Sequence, residues 1–239
     1  SPVLANMGTD RGMPVSCSGQ YVGDSVDEFY TNLHEAAMLS KNSFGTSGYF
    51  GDIRDRDAPI TGGGKANGAR PVIEDFFTAA AKISHGGMRV GSFAAYVPMG
   101  SSVYDECVKS LHLDHKGKNY GWNITDEFTE ALKAGDHSAQ EKFSESLYTK
   151  LLTGKGYYFF PDKANRHRPQ MYKDLGLDIK ASNLCTEIML HSSEDLSFSC
   201  ILSSLNLVHW KYIQNSDAVQ VSRVFLDCVC SDFLEISEG

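Results

Sequence analysis

The chain has 239 residues, of which 41% are hydrophobic, and a formal net charge of -8 at pH 7. This length is enough to bury a hydrophobic core, and the acidic balance lacks the basic surface that neutralises a nucleic-acid backbone. No apolar run reaches the roughly 18 residues of a membrane helix, and no basic-then-apolar signal peptide opens the sequence. We therefore expect a cytoplasmic protein without a membrane or a nucleic-acid polymer as partner.

The six cysteines do not have the spacing of a zinc site. There is no CxxC pair and no histidine at zinc-ligand spacing, so we expect no metal site in this chain. In a reducing cytoplasm the thiols should be mostly reduced, and any disulfide should be transient or catalytic. Cys228 lies on an apolar stripe and Cys107 follows two acidic residues, so both are expected to be packing residues, and Cys230 has no assigned role. The cysteines are Cys17, Cys107, Cys185, Cys200, Cys228 and Cys230.

The first part of the chain alternates predicted helices with glycine-rich segments. Residues 24–41 carry apolar side chains at helical spacing and predict a helix, whereas the glycine and serine residues of 42–51 predict a tight loop. A second glycine-rich loop at 61–71 precedes a predicted helix at 72–83, and a third covers 84–91.

The later part continues this alternation. The predicted elements are, in order, a short apolar strand at 93–97, a polar helix from 123 to 132, a helix at 139–152, a buried strand at 156–160 and a final helix capped by Ser216 and Asp217. Helices that alternate with short buried strands favour an α/β architecture with parallel strand pairing. No repeat or linker divides the chain, so we expect a single domain over residues 1–239.

The segment at 181–190, ASNLCTEIML, carries the strongest candidates for chemistry. In an extended backbone Asn183, Cys185 and Glu187 would point to one face, so that an amide, a thiol and a carboxylate could meet one ligand. Taken alone, the segment is better explained by a turn asparagine, an inert buried thiol and a solvated carboxylate.

Five motifs that follow one another in a specific order change this interpretation. They are PVSCSGQYVGDSVDEFY around Cys17, PITGGG at 59–64, HGGMRVG at 85–91, SNLCTEI at 182–188 and FSCILSSLNL around Cys200. Together they resemble the large subunit of class I ribonucleotide reductases over nearly the whole chain. Each motif alone is weak, but five in register are specific. The resemblance implies an α/β fold that forms part of a ten-stranded barrel, about its first half plus the finger loop.

The resemblance also implies a mechanism that uses a thiyl radical. Cys185 would become the radical and take the 3′ hydrogen atom of a ribonucleotide. Glu187 would accept the 3′-hydroxyl proton as a general base, and Asn183 would hold the sugar. Cys17 and Cys200 would supply the reducing equivalents and close to a disulfide.

Further expectations concern the surroundings of these thiols. Ser16 and Ser1 fall where the family contacts its substrate. For Cys17 and Cys200 to join, their Cα atoms must approach to about 4.4–6.8 Å, which predicts that they lie on neighbouring barrel strands. A dry pocket around Cys185 would keep its thiol protonated, as hydrogen-atom exchange requires.

The resemblance further implies an allosteric site for a deoxynucleotide or ATP effector. Asp24 and Ser25 would contact the effector, with Asp24 on its ribose hydroxyl, and Arg54 would lie near its phosphates. Arg89 would belong to the second specificity loop, which relates the effector to the substrate base. Thr61 stands where the family often has a basic residue, so effector strength or selectivity can differ here. On charge alone, Arg54 and Arg89 could equally be solvated side chains.

The implied partners are those of a large, multi-chain enzyme. They are the remaining part or parts of the large subunit, a small subunit with a metal-radical cofactor, a second large subunit, a thioredoxin or glutaredoxin-type reductant and a ribonucleoside diphosphate. The chain itself would hold no cofactor and would have no turnover alone, and a split gene or protein splicing would explain its ends. Two alternatives remain: a non-catalytic piece that senses effector through Asp24, Arg54 and Arg89, and a plain thiol-redox protein that uses Cys17 and Cys200.

Overall fold

The computed structural model describes residues 2–9, 12–85 and 89–238, apart from the side chains of residues 84, 85, 89 and 238. Its strands are β1 (Cys17–Tyr21), β2 (Gly45–Tyr49), β3 (Ser84–His85), β4 (Arg89–Val90), β5 (Phe93–Pro98), β6 (Asn119–Asn123), β7 (Tyr157–Phe159) and β8 (Phe198–Cys200). Its helices are α1 (Pro2–Asn6), α2 (Val26–Lys41), α3 (Ala69–Lys82), α4 (Ser102–Leu113), α5 (Asp126–Lys133), α6 (His137–Thr153), α7 (Pro161–His167), α8 (Gln170–Asp174), α9 (Trp210–Ile213) and α10 (Ala218–Glu238), with a 3₁₀ turn at Leu207–His209.

Six strands form one sheet in the order β7-β6-β5-β2-β1-β8. The pairs from β1 to β7 are all parallel, and β8 runs antiparallel to β1. Parallel neighbours need a crossover connection, and α2 to α6 provide these connections. The predicted α/β architecture with parallel pairing is therefore confirmed. The short strands β3 and β4 form a separate antiparallel pair.

Side-chain alternation along β5 separates two hydrophobic clusters. Phe93, Ala95 and Val97 point towards the helices and join a large core that includes aromatic residues of α3. Ala94 and Tyr96 point to the other face of the sheet. There they pack in a smaller cluster with residues of the chain just before Cys185, which are Ile179, Ala181 and Leu184. The sheet therefore places the segment around Cys185 on the face opposite the helices.

Residues 42–51 are not the tight loop that their composition predicts. They contain β2, whose five residues are all buried in the middle of the sheet. Both faces of this strand are covered by other parts of the protein. Small residues are needed at the positions where large side chains from neighbouring elements pack against its backbone. A Cβ at Gly48 would lie 3.0 Å from the rings of Phe50 and Phe93. The glycine and serine residues thus leave room for aromatic packing and do not mark a turn.

The other boundaries differ by smaller amounts. The helix expected from residue 123 begins at Asp126, because residues 119–123 form β6 and Thr125 caps the helix by accepting from the Phe128 amide at 3.1 Å. The helices α4 and α7 were not predicted, whereas the strands at 93–97 and 156–160 are confirmed within one or two residues.

The last helix, α10, begins close to its predicted cap but buries little of its apolar stripe. The Ser216 hydroxyl accepts from the Ala218 amide at 3.3 Å. Val221 is 61% exposed and Phe225 41% exposed, while Val229 is fully buried. Cys228 is exposed, so the expectation that it is a packing residue was wrong, because the helix turns only its Val229 side towards the body of the protein. None of the helices in the described ranges is long and apolar enough to cross a membrane.

Candidate active site

Cys17 and Cys200 face one another across two neighbouring strands. Cys17 begins β1 and Cys200 ends β8, and the two residues are register partners in the antiparallel pair. The Ser16 amide also donates to the Cys200 carbonyl at 3.0 Å. Both side chains are buried and present as thiols. The prediction that these cysteines lie on adjacent strands is confirmed.

The environment of Cys200 favours its protonated form. Its pKa is raised well above the usual value, first by a hydrogen bond with the Cys17 side chain and then by burial. Removing the proton would leave a thiolate in a poorly solvated place beside a second sulfur. Cys200 is therefore a neutral thiol at physiological pH.

The segment before Cys185 is tied to the inner face of the sheet, the face away from the helices, by one side chain from each of three adjacent strands. Ser47 of β2 donates to the Ser182 carbonyl at 2.9 Å, and Tyr96 of β5 donates to the Asn183 carbonyl at 2.7 Å. The Asn123 amide of β6 donates to the Lys180 carbonyl at 2.7 Å. The sheet thus fixes the path of residues 180–183 across its inner surface.

The finger loop, residues 181–190, then makes a tight turn instead of continuing as an extended strand. The Thr186 amide donates to the Asn183 carbonyl at 3.2 Å, and Thr186 has a left-handed φ of 67°. The Asn183 side-chain oxygen accepts from the amides of Glu187 and Ile188, both at 3.1 Å. The extended backbone that would place Asn183, Cys185 and Glu187 on one face is therefore not adopted, because the Asn183 carbonyl and side-chain oxygen hold the turn closed.

The turn separates Asn183 from the two residues expected to share its face. Asn183 is fully buried under the loop, and its Nδ2 has no hydrogen-bond partner within the described residues. Cys185 and Glu187 are exposed and lie together on the other side of the turn. Asn183 thus organises the loop with its side-chain oxygen and keeps an unused donor beneath it.

Cys185, Glu187, Cys17 and Ser16 line one open cavity of about 640 Å³. Residues of α1, the stretch after Cys200 and α10 complete its wall. Because Cys185 is exposed, the expected dry pocket is not closed by this chain. Ser1 lies outside the described residues. Among the residues described, no group of three or more His, Cys, Asp or Glu side chains is arranged to hold a metal ion.

The candidate effector residues lie at the opposite end of β1 from Cys17. Arg54 Nε contacts Asp24 Oδ2 at 2.6 Å, and the Arg54 amide donates to Asp24 Oδ1 at 3.3 Å. Ser25 caps α2 by accepting from the Glu28 amide at 3.2 Å. Arg54 is therefore held by an ion pair, contrary to the alternative of a simply solvated side chain. Arg89 belongs to β4, but its side chain lies outside the described part of the chain, as do residues 86–88.

Sequence reasoning missed the residues that position the finger loop. Ser47, Tyr96 and Asn123 lie on the inner face of β2, β5 and β6. Their pattern in the sequence could have indicated this role. Polar side chains at alternate positions of a buried strand point to one face of the sheet, and each of them needs a hydrogen-bond partner there. The expectation for Cys107 is confirmed, because it is fully buried and desolvation raises its pKa to about 12.

Comparisons with known proteins identify the family of this chain. The family described as "Ribonucleotide reductase, barrel domain" matches residues 15–137 and 104–233. A putative ribonucleoside-diphosphate reductase large subunit of Frog virus 3 is 30% identical over 98% of this chain and 44% of its own length. The large subunit of Arabidopsis thaliana is 28% identical over 87% of this chain and 31% of its own length.

A solved structure gives the same result. The class Id ribonucleotide reductase alpha subunit of Actinobacillus ureae superposes with a TM-score of 0.89 at 40% identity, over 98% of this chain and 44% of that one. The chain thus spans less than half the length of these relatives. It belongs to the ribonucleotide reductase family, where it corresponds to part of the barrel domain of a class I large subunit.

Proposed function

We propose that this chain supplies the radical cysteine and the reducing dithiol of a ribonucleoside-diphosphate reductase. One observation supports the proposal above all others. Cys17 lies opposite Cys200 on paired strands, and Cys17 lines the same cavity as Cys185 and Glu187. A redox pair, a further thiol and a carboxylate can therefore act on one bound sugar.

In the proposed reaction the thiyl form of Cys185 takes the hydrogen atom from C3′ of the ribose. Glu187 accepts the 3′-hydroxyl proton, and the 2′-hydroxyl leaves as water after it receives a proton from the dithiol. Cys17 and Cys200 give up two electrons and two protons in total and form one S–S bond. Cys185 finally returns the hydrogen atom to C3′, so one ribonucleotide and two thiols yield one deoxyribonucleotide, one disulfide and water.

The protonation of Cys200 suits this role. Its raised pKa keeps a proton on the sulfur at physiological pH, and the departing hydroxyl needs that proton. A closed disulfide must be reduced again by thiol–disulfide exchange, so a visiting dithiol of the thioredoxin or glutaredoxin type is part of the proposal.

The remaining partners follow from the open site. Cys185 is exposed here, whereas radical chemistry needs protection from solvent, so we propose that the remaining large-subunit residues cover the cavity. A metal-radical cofactor in a separate small subunit would oxidise Cys185 by one electron. A large-subunit dimer, a ribonucleoside diphosphate substrate and a cytoplasmic location complete the proposal. Ser16, which lines the cavity, would contact the sugar, whereas the buried Asn183 would act through the loop that it holds.

We further propose that Asp24, Ser25 and Arg54 form an effector site for a deoxynucleoside triphosphate or ATP, together with Arg89. The pairing of Asp24 with Arg54 supports it, because it gathers a carboxylate for hydroxyl groups and a guanidinium for phosphates. β1 runs from Cys17 to Tyr21, a span of roughly 13 Å at about 3.3 Å per residue, and this site lies beyond its far end.

The test is Cys185→Ser in the reductase reassembled from this chain, its large-subunit partner and its small subunit. We expect no deoxynucleotide formation and unchanged nucleotide binding. Cys228→Ser, which changes an exposed cysteine on α10 outside the cavity, is the matched control and should keep full turnover. Normal ribonucleotide reduction by the Cys185→Ser enzyme would contradict the proposal. It would favour the alternative that this chain is a non-catalytic piece that binds the effector.

The Cys17 and Cys200 pair also favours a second candidate, a plain thiol-redox protein. Such a protein has no use for Glu187, which forms no part of the dithiol. Glu187→Gln should stop ribonucleotide reduction while the disulfide still forms and is still reduced by dithiols. If ribonucleotide reduction survives in this variant, the role of Glu187 as the base is wrong.

A further inference from the structure

Tyr96 is a buried residue whose hydroxyl group reaches the turn of the finger loop. Its ring is fully buried on the inner face of β5. Its hydroxyl donates to the Asn183 carbonyl at 2.7 Å and lies 2.9 Å from Thr186 Oγ1. The Asn183 carbonyl can only accept, so the tyrosine proton is used there and the Thr186 hydroxyl donates to the tyrosine oxygen. The two bonds clamp the first and last residues of the turn to one atom.

Thr186 is the residue that most needs such a clamp. Its φ of 67° lies in the left-handed region, which is costly for a β-branched side chain. Such a conformation persists only where the surrounding contacts enforce it. Because Thr186 stands between Cys185 and Glu187, its backbone conformation decides whether those two side chains emerge on the same side of the turn.

The Tyr96 ring cannot move to another position. A Cβ on Gly121 of β6 would overlap the ring, so the ring lies directly on that glycine. Phe159 meets it edge-on with a centroid distance of 5.9 Å. Burial also raises the pKa of Tyr96, so the hydroxyl keeps its proton. The anchor is therefore rigid and remains a donor.

We propose that Tyr96 is a positioning residue that holds Thr186 in its left-handed conformation and thereby presents Cys185 and Glu187 together to the cavity. This inference rests on the proposed reductase function, since it assigns Tyr96 a part in that reaction without contact to the substrate.

Tyr96→Phe in the reassembled reductase tests the inference. It removes one hydroxyl and leaves the ring in place, so turnover should fall about tenfold while KM changes less than about twofold. Amide hydrogen exchange at Thr186, Glu187 and Ile188 should become faster, because their acceptors lie in the loosened turn.

Tyr104→Phe is the matched control. The Tyr104 hydroxyl is also the donor to a backbone carbonyl, that of Lys142 at 2.8 Å, but it lies in the core on the helix side. This variant loses an equivalent bond, so its stability should fall by a similar amount. Turnover and exchange in the finger loop should stay at the wild-type level.

A rescue experiment separates positioning from general stability. Glycine adopts a positive φ without steric cost, so Thr186→Gly should make the turn independent of Tyr96. In that background Tyr96→Phe should lower turnover less than threefold. If Tyr96→Phe folds poorly, Thr186→Val tests the same contact from the other side. It replaces the hydroxyl that donates to Tyr96 with a methyl group of similar size, and turnover should fall about threefold.

Wild-type turnover and wild-type loop exchange in Tyr96→Phe would overturn the inference, as would an equal loss of turnover with and without Thr186→Gly. Failure of the proposed function looks different: in that case the Cys185→Ser enzyme itself would still reduce ribonucleotides. An inactive Cys185→Ser enzyme together with a fully active Tyr96→Phe enzyme would reject this inference alone.

Discussion

Cys17 and Cys200 are register partners on antiparallel strands although they stand near opposite ends of the chain. Partners in such a pair have Cα atoms about 4.5–5.5 Å apart, which lies within the range that a disulfide can bridge. The sheet therefore prepares the two thiols for bond formation without a large backbone movement.

We expect mild oxidation to close this pair before any other cysteine pair. The wild-type protein should lose two alkylatable thiols and yield a linked peptide that contains Cys17 and Cys200 in mass spectrometry. Cys200→Ser should prevent the link, and the reassembled reductase should lose repeated turnover with a dithiol reductant. Cys230→Ser, at an exposed position on α10, is the control. A linked peptide between Cys200 and any residue other than Cys17 would contradict the register.

Replacing the effector carboxylate should weaken nucleotide binding without unfolding the protein. In Asp24→Asn the ion pair with Arg54 is lost, which costs about 0–1 kcal/mol of stability because both side chains are partly exposed. Affinity for a deoxynucleoside triphosphate should fall about tenfold or more, as when a charged hydrogen-bond acceptor is lost. Equilibrium binding of a labelled nucleotide measures this effect.

Asp126→Asn is the matched control for that measurement. It breaks a carboxylate–guanidinium ion pair of the same kind, with Arg166, which is more exposed than the Asp24–Arg54 pair and lies far in sequence from the effector residues. It should leave nucleotide affinity unchanged. Equal losses in the two variants would mean that Asp24 acts through net charge and does not contact the effector.

A methyl group added at Gly19 should disturb the dithiol. A Cβ at this position would overlap the ring of Phe198, which belongs to β8 together with Cys200. We expect Gly19→Ala to cost about 1–3 kcal/mol in the free energy of unfolding and to slow disulfide closure. Gly100→Ala is the control, because its Cβ would lie 3.7 Å from Phe128, an ordinary contact. Unfolding in urea and the rate of disulfide formation are the measurements, and a neutral Gly19→Ala would show that β8 shifts freely.

The buried tyrosines predict a loss of stability in alkaline solution. Burial raises their pKa above the ordinary value of 10.0, so the folded protein keeps protons that the unfolded chain releases. Their contribution is complete below pH 10 and declines as pH rises, by about 1.4 kcal/mol per pH unit for each group. The residues are Tyr49, Tyr96, Tyr104 and Tyr120.

Tyr120→Phe removes one of the groups that make the unfolding free energy fall with rising pH. Urea unfolding between pH 10 and 12 should give a shallower decline of the unfolding free energy in the variant than in the wild type. The same comparison below pH 9 is the control, since Tyr120 keeps its proton there in the folded and the unfolded state. Parallel curves above pH 10 would mean that Tyr120 is accessible to solvent in the native protein.

The family and the candidate chemistry could be predicted from the sequence because both depend on short motifs. The motifs around Cys17, Cys185 and Cys200 are recognisable from their local residue order, and the helix at 24–41 was predicted from its apolar spacing. Parallel α/β pairing also followed from the alternation of helices with short buried strands. Such features depend on interactions between residues close in the chain, so they can be recognised without coordinates.

Tertiary structure alone decided how these pieces face one another. The turn at Thr186 depends on Tyr96, which is distant in sequence, and β2 depends on aromatic rings that cross its glycine. Cys228 is exposed because only one side of α10 meets the body of the protein. Burial and hydrogen bonding between distant residues determine these outcomes, and local patterns of hydrophobicity and turn residues contain no information about which distant partner will be present.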